Sequence, residues 1–306
     1  MRNFSLKNKF MKNFALFFFS TLLLFLVSCN NDKKTVSENA PVPAEKKKAD
    51  NSGVNIAYDD NGSGDTTLLF IHGWGINKSY WADQTVFFSK KYRVVAVDLA
   101  GFGQSGKNRN NWTTEEFGKD VSAVIGALDL KNIILIGHSM SGAIAVETAL
   151  TNPSRVLGVI GIDNFKSYGD SISASDREAM AKVYASMRSN FANVVTGYVN
   201  EGLFSPSTDS AVRKRVLQDI LTGDSVIAVN AIEQGDTYPL DKKILELKKT
   251  IYAVNSDFSH NDVASFKKGK IPYVLFNIGP TGHYPMIEKP NEFNLLLEKA
   301  IEQIKK

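Results

Sequence analysis

From Val54 onward, short aliphatic runs alternate with longer stretches in which apolar side chains recur every three or four positions. Val54 to Tyr58, Thr67 to Ile71, Arg93 to Val97, Ile133 to Ile136, Val156 to Ile162, Thr250 to Val254 and Tyr273 to Asn277 have the length and composition of strands. Helical patterns lie between most of them. Thr113-x-x-Glu116 forms a capping box, and Phe117, Val121, Val124, Ile125 and Leu128 follow it at helical spacing. After Pro290, a last helix carries Phe293, Leu296, Leu297, Ala300, Ile301 and Ile304 on one face. The alternation predicts an α/β fold: a mostly parallel, doubly wound sheet with helices on both sides.

One interval breaks this rhythm. From about Phe165 to Lys249 no strand pattern is clear, while Ser175-x-x-Glu178 opens an amphipathic stretch and Ala211 to Leu221 and Ser225 to Ile232 read as helices. About eighty residues is several times the usual connection, so an ordinary pair of crossover helices is the weaker reading. The interval, residues 165–249, is expected to be a helical lid over the end of the sheet where ligands bind in such folds. No internal repeat is present.

The start of the chain follows a third pattern. Residues 1–28 carry Arg2, Lys7, Lys9 and Lys12 with no acidic residue, then the apolar run Phe14 to Val27, as a secretion signal does. Leu26-Val27-Ser28-Cys29 resembles the lipobox of bacterial lipoproteins, which implies that Cys29, the only cysteine, becomes the lipidated first residue of an exported, membrane-anchored protein. The alternatives are an ordinary signal peptide or an uncleaved anchor, but the run is shorter than the roughly twenty residues a spanning helix needs. Residues 29–52, rich in Asn, Asp, Lys, Ser, Ala and Pro, read as a flexible tether, and 53–306 as the folded domain. Lys46-Lys47-Lys48 could touch anionic headgroups or simply keep the tether soluble.

This organisation changes the meaning of the charge. The whole chain has 36 Lys+Arg against 32 Asp+Glu, a net charge of +4, and the first 28 residues hold four of the basic residues and no acidic one. The remainder is balanced, which gives no support for nucleic-acid binding. Nothing in the sequence names a protein partner. Hydrophobic residues make up 43% of the chain, enough for a substantial core.

Candidate chemistry begins where Ile133-Ile-Leu-Ile136 runs into Gly137-His138-Ser139-Met140-Ser141. This turn resembles the nucleophile elbow, G-x-S-x-G, except that Ser141 replaces the last glycine and Gly142 follows. The small residues Gly142, Ala143, Ala145 and Ala149 would let the next helix pack closely on its strand. On these residues alone, a buried serine in a tight turn is an equal alternative.

Three further segments carry a resemblance. With Phe70-Ile71-His72-Gly73-Trp74-Gly75, the chain from about Val54 resembles the α/β-hydrolase family, and in particular its lid-bearing, esterase-like members. The resemblance implies an oxyanion hole built from the backbone amides of Trp74 and Met140. It also implies that His72 holds its loop, and that the Trp74 side chain forms a pocket wall or part of the core. Asp98-Leu-Ala-Gly-Phe-Gly-Gln-Ser105 is similar to the family's D-x-x-G-x-G-x-S loop, where Asp98 is structural. Gly282-His283-Tyr284-Pro285 is similar to the histidine loop, which makes His283 the general base. His138 is then a pocket or structural residue and His260 a surface one. The triad acid is expected at Asp257, beyond the strand ending at Val254; Asp163 is the alternative, and Asp262, which reads as a helix N-terminus, a third.

The resemblance thus implies a serine hydrolase acting on a small acyl substrate, a carboxylic ester first, without metal or organic cofactor. Lactone, thioester, amide or carbon-carbon bond hydrolysis remain alternatives within that chemistry. A ligand- or partner-binding lipoprotein that keeps the fold without turnover is the alternative from outside it. Phe191, Tyr198, Phe204 and Tyr238 of the lid could line an acyl site or seat the lid on the core.

Overall fold

Every aliphatic run forms a strand, and one more strand precedes them in the computed structural model, which describes residues 47–306 apart from residue 171. The strands are β1 (Lys48–Asn51), β2 (Val54–Asn61), β3 (Thr67–Ile71), β4 (Arg93–Val97), β5 (Ile133–His138), β6 (Val156–Ile162), β7 (Ile251–Ser256) and β8 (Tyr273–Gly279). They form one sheet in the order β1-β2-β4-β3-β5-β6-β7-β8, antiparallel at β1-β2 and β2-β4 and parallel from there on. Every residue of β3 and β5 is buried, as the unbroken aliphatic runs require of strands covered on both faces.

The coverage comes from helices α1 (Ala82–Phe88), α2 (Thr114–Ala127) and α3 (Ser141–Thr151), and from α9 (Val263–Lys268), the short α10 (Pro285–Glu288) and α11 (Pro290–Ile304). Thr113 caps α2 as expected, its hydroxyl accepting from the Glu116 amide, and Phe117, Val121, Val124 and Ile125 are buried. Asp262 caps α9, which accounts for that aspartate.

Between β6 and β7 lie the five helices of the insertion: α4 (Ala174–Ser189), α5 (Phe191–Gly202), α6 (Ser210–Thr222), α7 (Ser225–Gly235) and α8 (Leu240–Leu247). The capping box of α4 belongs to Ser173 and Asp176 rather than to Ser175 and Glu178, because the helix starts a residue before Ser175. The sequence marks α5 and α8 poorly, since neither has a side-chain cap at its start.

The tether is shorter than expected at its C-terminal end. Residues 48–51 pair with β2, Ala49 is buried, and the Asn51 amide donates to the buried Asp120 at 2.7 Å. Four polar or small side chains carried no strand signal; a neighbour's free edge and one hydrogen-bond partner order them. The signal segment, Cys29 and the rest of the tether fall outside the described residues. Among the described residues no helix is long and apolar enough to cross a membrane.

The register matters most for the site. Val97, Ile71, Gly137, Gly161, Ala253 and Leu275 form one row across β4, β3, β5, β6, β7 and β8. Gly73, Ser139 and Asp163 each stand two residues beyond that row, so three loops emerge side by side at the same height. This is the carboxyl end of a parallel sheet, where the chain leaves regular hydrogen bonding and can hold functional groups.

Protein lacking residues 1–52 should be less stable than protein lacking residues 1–46 by about 1.5–3 kcal/mol, the worth of the Asn51 hydrogen bond to the carboxyl of Asp120, which keeps its partner Arg109. Chemical denaturation of the two truncated proteins measures the difference.

Candidate active site

Ser139 has a φ of +54°, a left-handed conformation that costs a non-glycine residue energy and must be held by its surroundings. Several contacts hold it. The Ser139 amide donates to the Ile162 carbonyl at 2.9 Å, tying the turn to β6. The Asn164 side-chain amide donates to the carbonyls of Gly137 and Ser139 at 2.8 and 3.0 Å, bridging both sides of His138. Asn164 fits because Gly142 and Gly161 lack side chains: a Cβ would meet its amide group at 2.4 and 1.9 Å respectively.

These contacts also explain the departure at Ser141. The glycine that the close approach demands is at 142, and Ser141 is fully buried with its hydroxyl donating to the His72 carbonyl. The substitution therefore adds a bond between α3 and the loop after β3.

That loop lies against the elbow. A Cβ on Gly73 would come within 2.5 Å of the His138 ring and 3.2 Å of Ser139 Cβ, so only glycine permits this close approach of the loop to the turn at Ser139. His72 fastens the loop as expected. Its Nε2 accepts from the Leu99 amide at 3.0 Å, so its Nδ1 carries the proton and donates to the Gly73 carbonyl at 2.8 Å. Asp98 is a loop residue, accepting from the Lys78 and Gln104 amides at 2.8 and 2.9 Å. The Trp74 indole seats the lid: it donates to the Ala228 carbonyl of α7 at 2.7 Å and meets Tyr198 of α5 edge to face. Met140 is the N-cap residue of α3, where the first amides have no acceptor within the helix.

His283 reaches Ser139 from the loop after β8. Its Nδ1 is 2.6 Å from Asp163 Oδ2 and its Nε2 is 2.7 Å from Ser139 Oγ. A carboxylate only accepts, so Nδ1 carries the proton and Nε2 is free to accept from the serine hydroxyl. The loop is braced from the lid: the His283 amide donates to the Leu203 carbonyl at 2.8 Å. Glu288, which the sequence did not single out, accepts from the Gly282 and Tyr284 amides at 2.9 and 3.1 Å and from Thr208 at 2.7 Å.

The expected acid, Asp257, is not beside His283. It is exposed, four residues past the row of aligned strand ends, and accepts from the Asn277 side chain. Asp163 lies there instead, because it directly follows β6, the strand next to β5, and so stands level with Ser139. Its other oxygen accepts from the Ser256 amide and hydroxyl at 3.0 and 2.8 Å and pairs with Lys166 Nζ at 2.7 Å. Burial by itself would raise this carboxyl; the hydrogen bond and charge of His283, with Lys166, outweigh it and hold Asp163 well below the usual carboxylate range. Lys166, Ser256 and Asn164 carried no motif that could have found them, although Asn164 and Lys166 follow Asp163 closely. His260 is exposed on a surface loop.

A cavity of about 120 Å³ opens on this row, lined by Ser139, Met140, Leu203, Ile232 and Tyr238 among others. Of the lid aromatics, Tyr198 and Tyr238 face it, while Phe204 is buried near Tyr284 and Phe191 packs on the core.

These features place the chain among known proteins. A family model described as alpha/beta hydrolase fold matches residues 66–290. The dihydrolipoyllysine-residue acetyltransferase component of the acetoin cleaving system of Cupriavidus necator is 28% identical over 264 residues, covering 83% of this chain and 68% of that one. A non-heme chloroperoxidase of Streptomyces lividans is 38% identical over 107 residues, 34% of this chain and 39% of the relative, so this match spans well under half of either. Among solved structures, a thermophilic esterase from Thermogutta terrifontis has a TM-score of 0.74 at 21% identity, covering 86% of this chain and all (100%) of its own. The enol-lactonase from Burkholderia xenovorans has a TM-score of 0.72 at 18% identity, covering 84% and 100%. At such identities the structures share the fold.

His138 supplies a test of the buried site. Its Nε2 donates to the His283 carbonyl at 2.7 Å, and burial, reinforced by the neighbouring His283, pushes it down to about 3. In the unfolded chain it returns to about 6.5 and binds a proton that the folded chain refuses, so stability falls as pH drops from about 6.5 toward 3. Asp163, whose folded value is depressed, adds its own loss only below about 4. The stability difference between wild type and His138→Gln, measured by denaturation at successive pH values, should therefore shrink as pH falls through the upper window.

Proposed function

The chain belongs to the alpha/beta hydrolase fold family, and from that premise we propose that it is a serine hydrolase cleaving a carboxylic ester or related acyl bond of a small substrate. The observation that carries this reading is the unbroken row from Ser139 Oγ through the His283 imidazole to the Asp163 carboxylate, at 2.7 and 2.6 Å.

The row supports a two-step acyl transfer. Ser139 Oγ attacks the acyl carbon as its proton passes to His283 Nε2, and Asp163 stabilises the resulting imidazolium through Nδ1. The carbonyl electron pair moves onto oxygen, where the Trp74 and Met140 amides receive it; removal of one such donor typically costs about 3 kcal/mol of transition-state stabilisation. The tetrahedral adduct collapses, the leaving alcohol takes the proton from His283, and an acyl-serine remains. Water then attacks the acyl-serine, giving its proton to His283, and the acid departs as Ser139 recovers its hydrogen. Each step uses only groups of the protein and water.

The cavity offers room for an acyl group beside Ser139. At about 120 Å³ the space beside Ser139 is comparable with the roughly 150 Å³ that holds one benzene ring in an apolar interior, though this one opens outward. Leu203, Ile232 and Met140 give it apolar wall, as a small hydrocarbon acyl chain needs.

Hydrolysis of short-chain aryl esters by the full chain tests the assignment. Ser139→Ala and His283→Ala should fall to background, and Asp163→Asn should lose about 10³–10⁴ in kcat, while Asp257→Asn stays near wild type. Turnover surviving in Ser139→Ala, or a loss confined to Asp257→Asn, would reject this triad.

The N-terminal pattern supports export and a lipid anchor at Cys29, with the catalytic domain outside the cytoplasm. Bacteria expressing the chain and fed a labelled fatty acid should incorporate it into wild type and not into Cys29→Ser. Equal labelling of both would remove the anchor.

A further inference from the structure

The acid has a second charged partner that acyl transfer does not require. Lys166 Nζ lies 2.7 Å from Asp163 Oδ1 and 2.9 Å from the Ser256 carbonyl, and its side chain is only 9% exposed. The opposite oxygen of the same carboxylate receives His283. Lysine is rarely buried unless paired, because its charge loses hydration. Here the pair is formed with the one carboxylate that orients the base, and Lys166 is the only lysine or arginine among the described residues lining the cavity.

We propose that Lys166 is a positioning residue for the serine hydrolase reaction read above, holding Asp163 in place and keeping His283 unprotonated and receptive to the serine proton in the resting enzyme.

The physical reason is charge balance. With His283 neutral, Lys166 and Asp163 cancel, and the buried row has no net charge. Protonating His283 in that state leaves an uncompensated positive charge in a poorly hydrated place, so a proton from solvent is disfavoured. During acyl transfer the proton arrives together with the negative charge on the substrate oxygen, and the row with its oxyanion is again neutral. Without Lys166, the charge of Asp163 would act on His283 unopposed and favour the imidazolium more at rest, so a larger share of the enzyme would lack a free base at a given pH.

The other groups around the imidazole do not duplicate this role. His138 on β5 and His72 behind it are held neutral by burial. Burial likewise raises the phenols of Tyr284 in the same loop, Tyr273 on β8 and Tyr198 on the lid, which stay uncharged. Glu288 is occupied by the Gly282 and Tyr284 amides. Asp236 and Asp241 line the cavity and engage Tyr184 and the Gly169 amide; their charge favours the imidazolium, opposite in sign to Lys166.

The test uses the full chain and three variants, Lys166→Gln, Lys166→Met and Lys166→Arg. Gln keeps a donor without charge, Met keeps neither, and Arg restores charge. The acid limb of kcat/KM against pH should move up by about one to two pH units in Gln and Met, the size expected for a unit charge several ångströms away at intermediate dielectric, and stay near wild type in Arg. NMR titration of the His283 ring, assigned by its disappearance in His283→Ala, should move by the same amount. If both readings of Gln and Met superimpose on wild type, the proposal is overturned. Where a variant loses activity at every pH, the ring titration decides: shifted supports the proposal, unshifted overturns it. If wild type hydrolyses no ester, the hydrolase reading fails, and the titration still reports on Lys166 separately.

Discussion

The carboxylate of Asp163 carries its charge inside the protein, and much of the surrounding architecture follows from satisfying it. Burying an ion costs several kcal/mol even after relaxation, a cost offset only when its oxygens are fully engaged. Four donors meet that requirement: the His283 ring, the Ser256 amide and hydroxyl, and the Lys166 ammonium. They come from the loop after β8, from β7 and from the loop after β6, so one charged group joins the C-terminal strands at the point where Ser139 emerges.

The strained turn at Ser139 depends on the same junction. Asn164, adjacent to Asp163, holds the carbonyls on either side of His138, and its own backbone is paired with Asn255 of β7. Ser141 ties the helix that follows to the loop after β3. The inserted helices bond to both loops that flank the serine, through Trp74 to Ala228 and through His283 to Leu203. The insertion is therefore part of the support of both loops. A displacement of these helices would loosen the loop after β3 and the loop after β8 together.

Much of this was legible in sequence because the signals are local. Aliphatic runs gave the strands after β1, Thr113 gave the start of α2, and the elbow, the His72-Gly73 turn and the His283 loop each carry their character within a few residues. The segments that escaped are those ordered by remote partners. β1 has no apolar run and forms on the free edge of β2; α5 and α8 lack caps and acquire their helical state by packing. Glu288, Lys166 and Asn164 look like ordinary polar loop residues until the groups they bind are brought to them.

Asp257 and Asp163 mark the division most sharply. Both follow a strand, and both come after the serine and before the histidine in the chain. Linear order cannot separate them. The choice is made by strand register, which lines Gly137 up with Gly161 and Gly161 with Ala253, leaving Asp163 level with Ser139 while Asp257 lies beyond the sheet and in solvent. The sequence by itself determined the kind of sheet and marked the loops that carry Ser139 and His283, since their character lies in near neighbours along the chain. Only the tertiary structure decided which carboxylate completes the row, because that depends on where two strands stop relative to one another.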